Sequence, residues 1–196
     1  MMPRLADHEE RRREAIEALW RVIATQGIDK ASVRHVAAET GWSRGIIDYY
    51  FDGMQELLIA GLRAACEADV GLKVEGSSPD ANRELRDALL ARMPLDETRR
   101  VRGRVWIAYL GRAMTDPEVA AEYASCQQAR GLMWVGFLSH GDHDLDEERL
   151  QEAATLIMAF ELAMNVNGLL NPDTVTDEWV ERQVDAFIAT LMAHTA

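Results

Sequence analysis

Apolar residues return every three or four positions along almost the whole chain, and no run alternates long enough to make a convincing strand. That period admits little besides packed helices. Ile16, Leu19, Trp20, Ile23 and Ala24 share one helical face, and Gly27 ends the helix. Ser32 is placed to N-cap a short second helix over 32–39, with Val33, Val36 and Ala37 inward and Gly41 just past its end. Ser43 can cap a third helix over 43–50. After "FDG", Leu57, Leu58, Gly61, Leu62 and Ala65 form a fourth face. "VEGSSPD" (74–80) reads as a linker loop, with Pro79 placed to open a helix. Asp116 before Pro117, Asp144 or Asp146, and Thr176 mark later helix starts. The expected fold is all-α, with roughly nine helices.

Composition narrows the class. Of the 196 residues, 48% are hydrophobic, enough for a sizeable core once helices organise them. Two cysteines, Cys66 and Cys126, make no disulfide framework and fit a reducing compartment. The charged beginning of the chain has no apolar secretory segment. The apolar run "ATLIMAF" is cut by Glu161, which reads as too short to span a bilayer. A cytoplasmic protein with no membrane partner is therefore expected. The net charge of −12 argues against nucleic acid until its distribution is considered. Residues 1–65 hold 9 Lys/Arg and 10 Asp/Glu, a net of −1, whereas residues 66–196 hold 12 and 23, a net of −11. The acidity belongs to the later two-thirds, and such asymmetry suggests different partners for the two parts.

The stretch "TGWSRGIIDYYFDGMQELL" (40–58) joins the second and third helices through a short turn containing Gly41. That spacing is a helix-turn-helix, whose second helix can enter a DNA major groove. Ser43 and the free N–H groups beside it suit phosphate. Arg44 can fork onto phosphate or guanine, and Gly45 lets the backbone come close. Tyr49 and Tyr50 offer rings and hydroxyls, while Phe51 is expected to pack inward.

"ASVRHVAAETGWSRGIIDYYFDGMQELLIAGL" resembles the N-terminal signature of TetR-family transcriptional regulators at Ser32, Val33, Arg34, Val36, Ala37, Gly41, Ser43, Gly45, Tyr50 and Phe51. "GIIDYYF" and "RVWIAYLGRAMTDPEVAAEY" further resemble the BetI-like branch. The resemblance implies a DNA-binding domain over 1–53, a connecting helix over 54–70, and a ligand-binding and dimerisation domain over 71–196. Candidate DNA contacts are Ser32, Arg34, Trp42, Ser43, Arg44, Gly45, Ile46, Asp48, Tyr49 and Tyr50, with Arg11 to Arg13 where the family's N-terminal arm approaches DNA. Three positions depart from the pattern. Trp42 replaces Val in the turn and can pack on the first helix or flank the DNA backbone. Asp48 puts a carboxylate near phosphates unless it pairs with Arg44 or accepts from cytosine. Met54 stands where the family has a phosphate-binding Lys.

Helix 149–169 is apolar nearly all round: Leu150, Ala154, Ile157 and Met164 form one strip, Leu156, Phe160 and Ala163 another, and Met158 and Leu162 a third side. A helix with so little polar face is buried by more than its own domain. Together with helix 177–193 it would build an isologous interface, with Leu156, Phe160, Ala163, Val184, Phe187, Ile188 and Leu191 as candidates. The resemblance implies an inducer pocket, with Trp106, Tyr109, Leu110, Tyr123, Arg130, Met133, Trp134, Phe137, Glu161 and Asn165 as candidate lining. Glu161 and Arg130 both lie on apolar strips, where a charge is costly unless paired. They can pair with each other or snorkel to an edge. Alternatively, Glu161 faces a cationic ligand in an aromatic cage.

Catalytic readings are weak. Asp142, Asp144 and Asp146 are spaced like the first ligands of an EF-hand, but Glu147 stands where Gly is needed and Ala153 where Glu is needed. His140 and His143 fit a capped loop better than a metal site, and no phosphate-binding loop or nucleophile elbow is present. No enzyme, cofactor or metal is expected. The reading is a ligand-responsive repressor that binds a palindromic operator as a homodimer and is released by a cationic or aromatic small molecule. The competing readings are an all-α protein-interaction module without DNA binding and a helical-bundle enzyme.

Overall fold

The computed structural model describes residues 5–72, 80–140 and 146–195. Among them lie nine α-helices and no strand: α1 Leu5–Gln26, α2 Val33–Thr40, α3 Arg44–Tyr50, α4 Gly53–Val70, α5 Ala81–Leu90, α6 Glu97–Ala113, α7 Pro117–Ser139, α8 Glu147–Leu170 and α9 Asp177–Thr195. A 3-10 turn, Ile28–Lys30, follows α1. The all-α expectation holds. Residues 74–79 of the linker reading and residues 141–145 of the acidic loop, including Asp142, His143 and Asp144, lie outside the described residues.

Side-chain caps set most of the helix starts. Ser32 accepts from His35 N–H at α2, and Asp80 accepts from Asn82 and Arg83 N–H at α5. Asp116 accepts from Glu118 and Val119 N–H at α7, Asp146 from Arg149 N–H at α8, and Thr176 from Trp179 N–H at α9. Each such bond satisfies a backbone donor that the helix itself leaves open.

By its contacts the chain divides into two compact units, residues 1–67 with 104–126, and residues 68–103 with 127–196; α6 and α7 contribute to both. In the first unit, α1 buries Ala15, Leu19, Val22 and Ile23 against the helix-turn-helix and α4. Trp20 Nε1 donates to Gly61 O at 3.1 Å, and Tyr109 Oη donates to Leu58 O at 2.9 Å. Gly61 permits this crossing, because a Cβ there would stand 2.6 Å from Tyr109 Oη and 2.8 Å from Leu19 Cδ2. Burial pushes the Tyr109 hydroxyl pKa well up, so it stays a donor.

The second unit is built on Leu85, Leu89, Met93, Trp134, Ile157 and Val184. Full burial of a side chain of this kind stabilises by about 1.5–3 kcal/mol. The α9 stripe is mostly inward: Val184, Ile188 and Leu191 are in this core. This corrects their assignment to a dimer interface, because the helical period that makes the stripe also turns it toward the chain's own α5. The apolar run in α8 does not stop at Glu161; the helix passes through it, and by length and composition α8 is long and apolar enough to cross a membrane. Only 33% of that apolar window is buried within the chain.

Candidate nucleic-acid interface and ligand cleft

The turn between α2 and α3 is closed by backbone chemistry. Gly41 has φ 74°, in the left-handed region that favours glycine. Trp42 N–H reaches Ala37 O at 2.9 Å and Gly41 N–H reaches Ala38 O at 3.3 Å, the paired bonds of a Schellman stop. Ile47, fully buried, anchors α3, so the helical period turns Ser43, Arg44, Gly45, Ile46, Asp48 and Tyr49 outward. Ser43 occupies the N-cap position, but its hydroxyl makes no cap bond. Tyr49 is 65% exposed. Arg34 on α2 is also exposed, while Ser32 is engaged with His35 as the α2 cap.

Two of the departures from the family pattern take one of their expected forms. Arg44 Nε lies 3.2 Å from Asp48 Oδ2, an exposed pair one helical turn apart. Trp42 is half-buried and packs on α1, with the Arg11 guanidinium 5.2 Å from its ring centroid. Tyr50 is half-buried in an aromatic group with His8, at 4.9 Å, and Tyr49, at 5.0 Å. Phe51 is buried, as its position implied.

Arg12 does more than its place in a charged run suggested. It donates to Tyr50 O at the end of α3, lies 4.2 Å over the Phe51 ring, and pairs with Glu56 Oε1 at 3.0 Å. Glu56 in turn accepts from Asp52 N–H before α4. That bond, with Arg12 beside it, holds the Glu56 carboxyl below its usual range. Arg12 thus fixes the end of α3 and the start of α4 together. Its position on the inner side of α1, near Ile16 and Leu19 in register, was the available signal.

In the second unit three buried charges, Asp69, Arg92 and Glu161, meet the half-buried Arg130. Glu161 meets Arg130 at 2.6 Å and Arg92 at 3.7 Å, and Asp69 meets the same arginines at 2.8 Å and 3.6 Å. The pairing of Arg130 with Glu161 is one of the arrangements that the sequence left open. Trp134 Nε1 also approaches Glu161 Oε2, at 3.4 Å. Burial pushes the Glu161 carboxyl up to about 7, with Arg130 pulling the other way. Asp69 and Arg92 were not anticipated. Yet Asp69 continues the Leu62/Ala65 face of α4, and Arg92 the Leu85/Leu89 face of α5, so a charge on an apolar strip marked both.

A cleft of about 560 Å³ opens beside this cluster, lined by Val70, Leu72, Ala88, Met133, Phe137 and others. Of the sequence-derived pocket residues, Met133, Trp134 and Phe137 line it. Arg130 and Glu161 belong to the charge cluster, and Asn165 donates to Arg92 O and Glu161 O. Trp106, Tyr109, Leu110 and Tyr123 belong to the first unit. There, Trp106 and Tyr123 meet edge to face at 5.9 Å. Three of the ten candidate residues therefore line this cleft.

A two-helix motif of the DNA-reading kind set on α1 and α4, with a further α-helical part that holds a cleft, has the form of a transcriptional regulator. The comparisons bear on which kind. Residues 15–60 match the model for bacterial regulatory proteins of the tetR family, and residues 81–193 match that for the BetI-type transcriptional repressor C-terminal domain. The regulator PksA of Bacillus subtilis is 42% identical over 66 residues, about a third of either chain. The regulator BetI of Escherichia coli K12 is 27% identical over 172 residues, 86% of this chain and 84% of that one. A crystal structure of a transcriptional regulator from Rhodococcus shares 25% identity with a TM-score of 0.81, covering 93% of this chain and 96% of that one. A Saccharomonospora viridis regulator crystallised with choline has the same fold, at 20% identity and a TM-score of 0.71, covering 92% and 96%. The chain belongs to the TetR family, with a C-terminal part of the BetI type. It is a DNA-binding transcriptional regulator with a ligand-binding C-terminal part, and not an enzyme.

Proposed function

We propose that the protein is a cytoplasmic repressor that binds a palindromic operator as a homodimer and leaves it when a small molecule occupies the C-terminal part. Residues 1–53 bind DNA, α4 connects, and residues 71–196 carry the ligand site and the dimer surface. The observation that carries this reading is the outward face of α3, where Ser43, Arg44, Ile46 and Tyr49 stand in solvent above a fully buried Ile47. A short helix anchored by one core residue, with arginine and tyrosine outside, has the form of a recognition helix.

The homodimer reading rests on α8. Leu156 and Leu162 are 43% and 42% exposed, and Ala159 and Ala163 are exposed beside them. Phe160 stacks on Phe187 of α9 at 4.1 Å, which extends the apolar surface across two helices. An apolar face of this kind can be covered by its copy across a two-fold axis, and a two-fold dimer matches the symmetry of a palindromic operator. The cleft beside the buried charges is the proposed ligand site, since it has the size of small-molecule sites and a mixed lining, apolar at Val70, Leu72, Ala88, Met133 and Phe137 and polar at Glu84, Arg92 and His140.

Selection from a random DNA library tests the reading. Enriched sequences should contain a palindrome whose half-sites are centred one helical turn or a simple multiple apart. Failure to enrich any sequence from the library, with the protein folded, would contradict it.

A further inference from the structure

Arg92 and Trp134 line the cleft, and behind Arg92 stand the carboxylates of Asp69 and Glu161; an indole ring with two carboxylates is a set of groups that usually holds an organic cation. In this chain those groups are already occupied. Arg92 lies with its guanidinium carbon 5.0 Å from the Trp134 ring centroid, between Asp69 and Glu161. It also donates to Ala88 O at 3.0 Å and Asp69 O at 2.9 Å, and touches Met133 Sδ at 3.2 Å. Trp134 has no exposed surface, and the Asp69 and Glu161 side chains are 5% and 3% exposed. With Arg130 on the far side, two guanidiniums face two carboxylates, and the cluster cancels its own charge once both acids are ionised.

We propose that Arg92 is a built-in occupant of the cation site, and that the cleft therefore takes an uncharged, apolar-bodied ligand with a hydrogen-bond-donating head and rejects permanent cations. This rests on the reading of the cleft as the ligand site, and of the cationic or aromatic inducer that the sequence left open it drops the cationic one. A quaternary ammonium finds no exposed face on Trp134, and each buried carboxylate already faces a guanidinium, Glu161 Oε1 through the 3.7 Å ion-pair contact with Arg92 rather than a hydrogen bond, so losing its hydration is not offset. An anion fares no better, because Arg92 is committed inside and residues 66–196 carry a net −11. What remains for a ligand is the apolar wall of Val70, Leu72, Ala88, Met133 and Phe137, with Glu84 and His140 as the further polar lining. His140 Nδ1 bonds Gly136 O, which can only accept, so Nδ1 carries a proton and Nε2 of the neutral ring is an acceptor. Glu84 is an acceptor too when ionised. Two acceptors beside an apolar wall select a ligand that donates.

The test uses the full-length protein at pH 8, where Glu161 is ionised. Its probes are N-phenyl-1-naphthylamine, which is neutral with one N–H; its anionic relative 8-anilinonaphthalene-1-sulfonate; and choline. Dye binding is read by fluorescence and choline binding by calorimetry. The neutral dye should saturate, with the sulfonate at least about tenfold weaker and choline giving no heat at millimolar concentration. Gly136→Leu should abolish dye binding without unfolding the chain, since Gly136 lines the cleft, an added Cβ there meets nothing within 4 Å, and leucine favours helix. Arg92→Ala should acquire choline binding, because it vacates the site between the carboxylates and the indole.

Choline binding to the wild type, or dye binding indifferent to Gly136→Leu, would overturn the proposal even if Arg92→Ala proved too unstable to assay. Operator binding measured on the same preparations keeps the two readings apart. Loss of DNA binding with the dye selectivity intact would sink the repressor reading alone. Choline binding by a protein that holds its operator would sink this one alone.

Discussion

Asp48 sets how freely Arg44 can serve DNA. The two side chains are 42% and 76% exposed and 3.2 Å apart, so the pair is weak and readily exchanged, but its carboxylate remains beside any phosphate that α3 meets. Asp48→Asn should tighten operator binding by roughly three- to tenfold and steepen its salt dependence by about one unit, as for one added effective phosphate contact. A loss of affinity confined to one base position would instead mean that Asp48 reads a cytosine amino group. Met54→Lys should tighten binding to all sequences alike, again with about one unit of slope; an unchanged slope would show that position 54 does not reach the backbone. Arg12 acts on stability. Its side chain is 26% exposed and joins Phe51, Tyr50 O and Glu56, so Arg12→Ala should cost roughly 1–2 kcal/mol, read as a lower midpoint in urea. Glu56 is held below its usual pKa, so its share of stability is present above the ordinary carboxylate range and is lost as pH falls through the lower folded value.

Among the helices, α4, α7, α8 and the turn after α5 are tied by Asp69, Arg92, Arg130 and Glu161. Because burial raises Glu161 to about 7 from 4.5, the folded chain holds a proton there that the unfolded chain has released. Its contribution is therefore complete below about 4.5 and declines as pH rises through 7. Thermal midpoints measured from pH 5 to 7.5 should fall with a slope that Glu161→Gln flattens; an identical slope in the variant would mean that the paired arginines keep Glu161 ionised throughout. The helices themselves were legible, because caps such as Ser32, Asp116, Asp146 and Thr176 are local signals and apolar faces repeat at a fixed period. Partners were harder to read. Val184, Ile188 and Leu191 form a clear stripe, but a stripe does not say whether it faces its own chain or another, and here it faces α5. Asp69 and Arg92 carried the same mark as Arg130 and Glu161, a charge on an apolar strip, but which strips converge is set by tertiary packing. Arg12 was hidden in a run of like residues whose exposures differ only once α1 is docked.

At the scale of the molecule, the account joins a recognition helix to a dimer. Leu156 is 43% exposed in the single chain, so Leu156→Arg costs the monomer little but would bury an unpaired charge in the proposed interface. Sedimentation should show a monomer with unchanged helicity, and operator affinity should fall by at least about a hundredfold, since two half-sites no longer act together. A dimer that persists would place the interface elsewhere. In the proposed complex, exposed Arg44 on α3 grips DNA in a sequence-specific way. The most direct test is equilibrium binding to the fragment upstream of the protein's own coding region, or to a selected palindrome, across a salt series for wild type and Arg44→Ala. Wild-type binding should saturate and weaken steeply with salt, and the variant should lose most of its affinity at every salt concentration. Equal binding by the two proteins, indifferent to sequence, would contradict it.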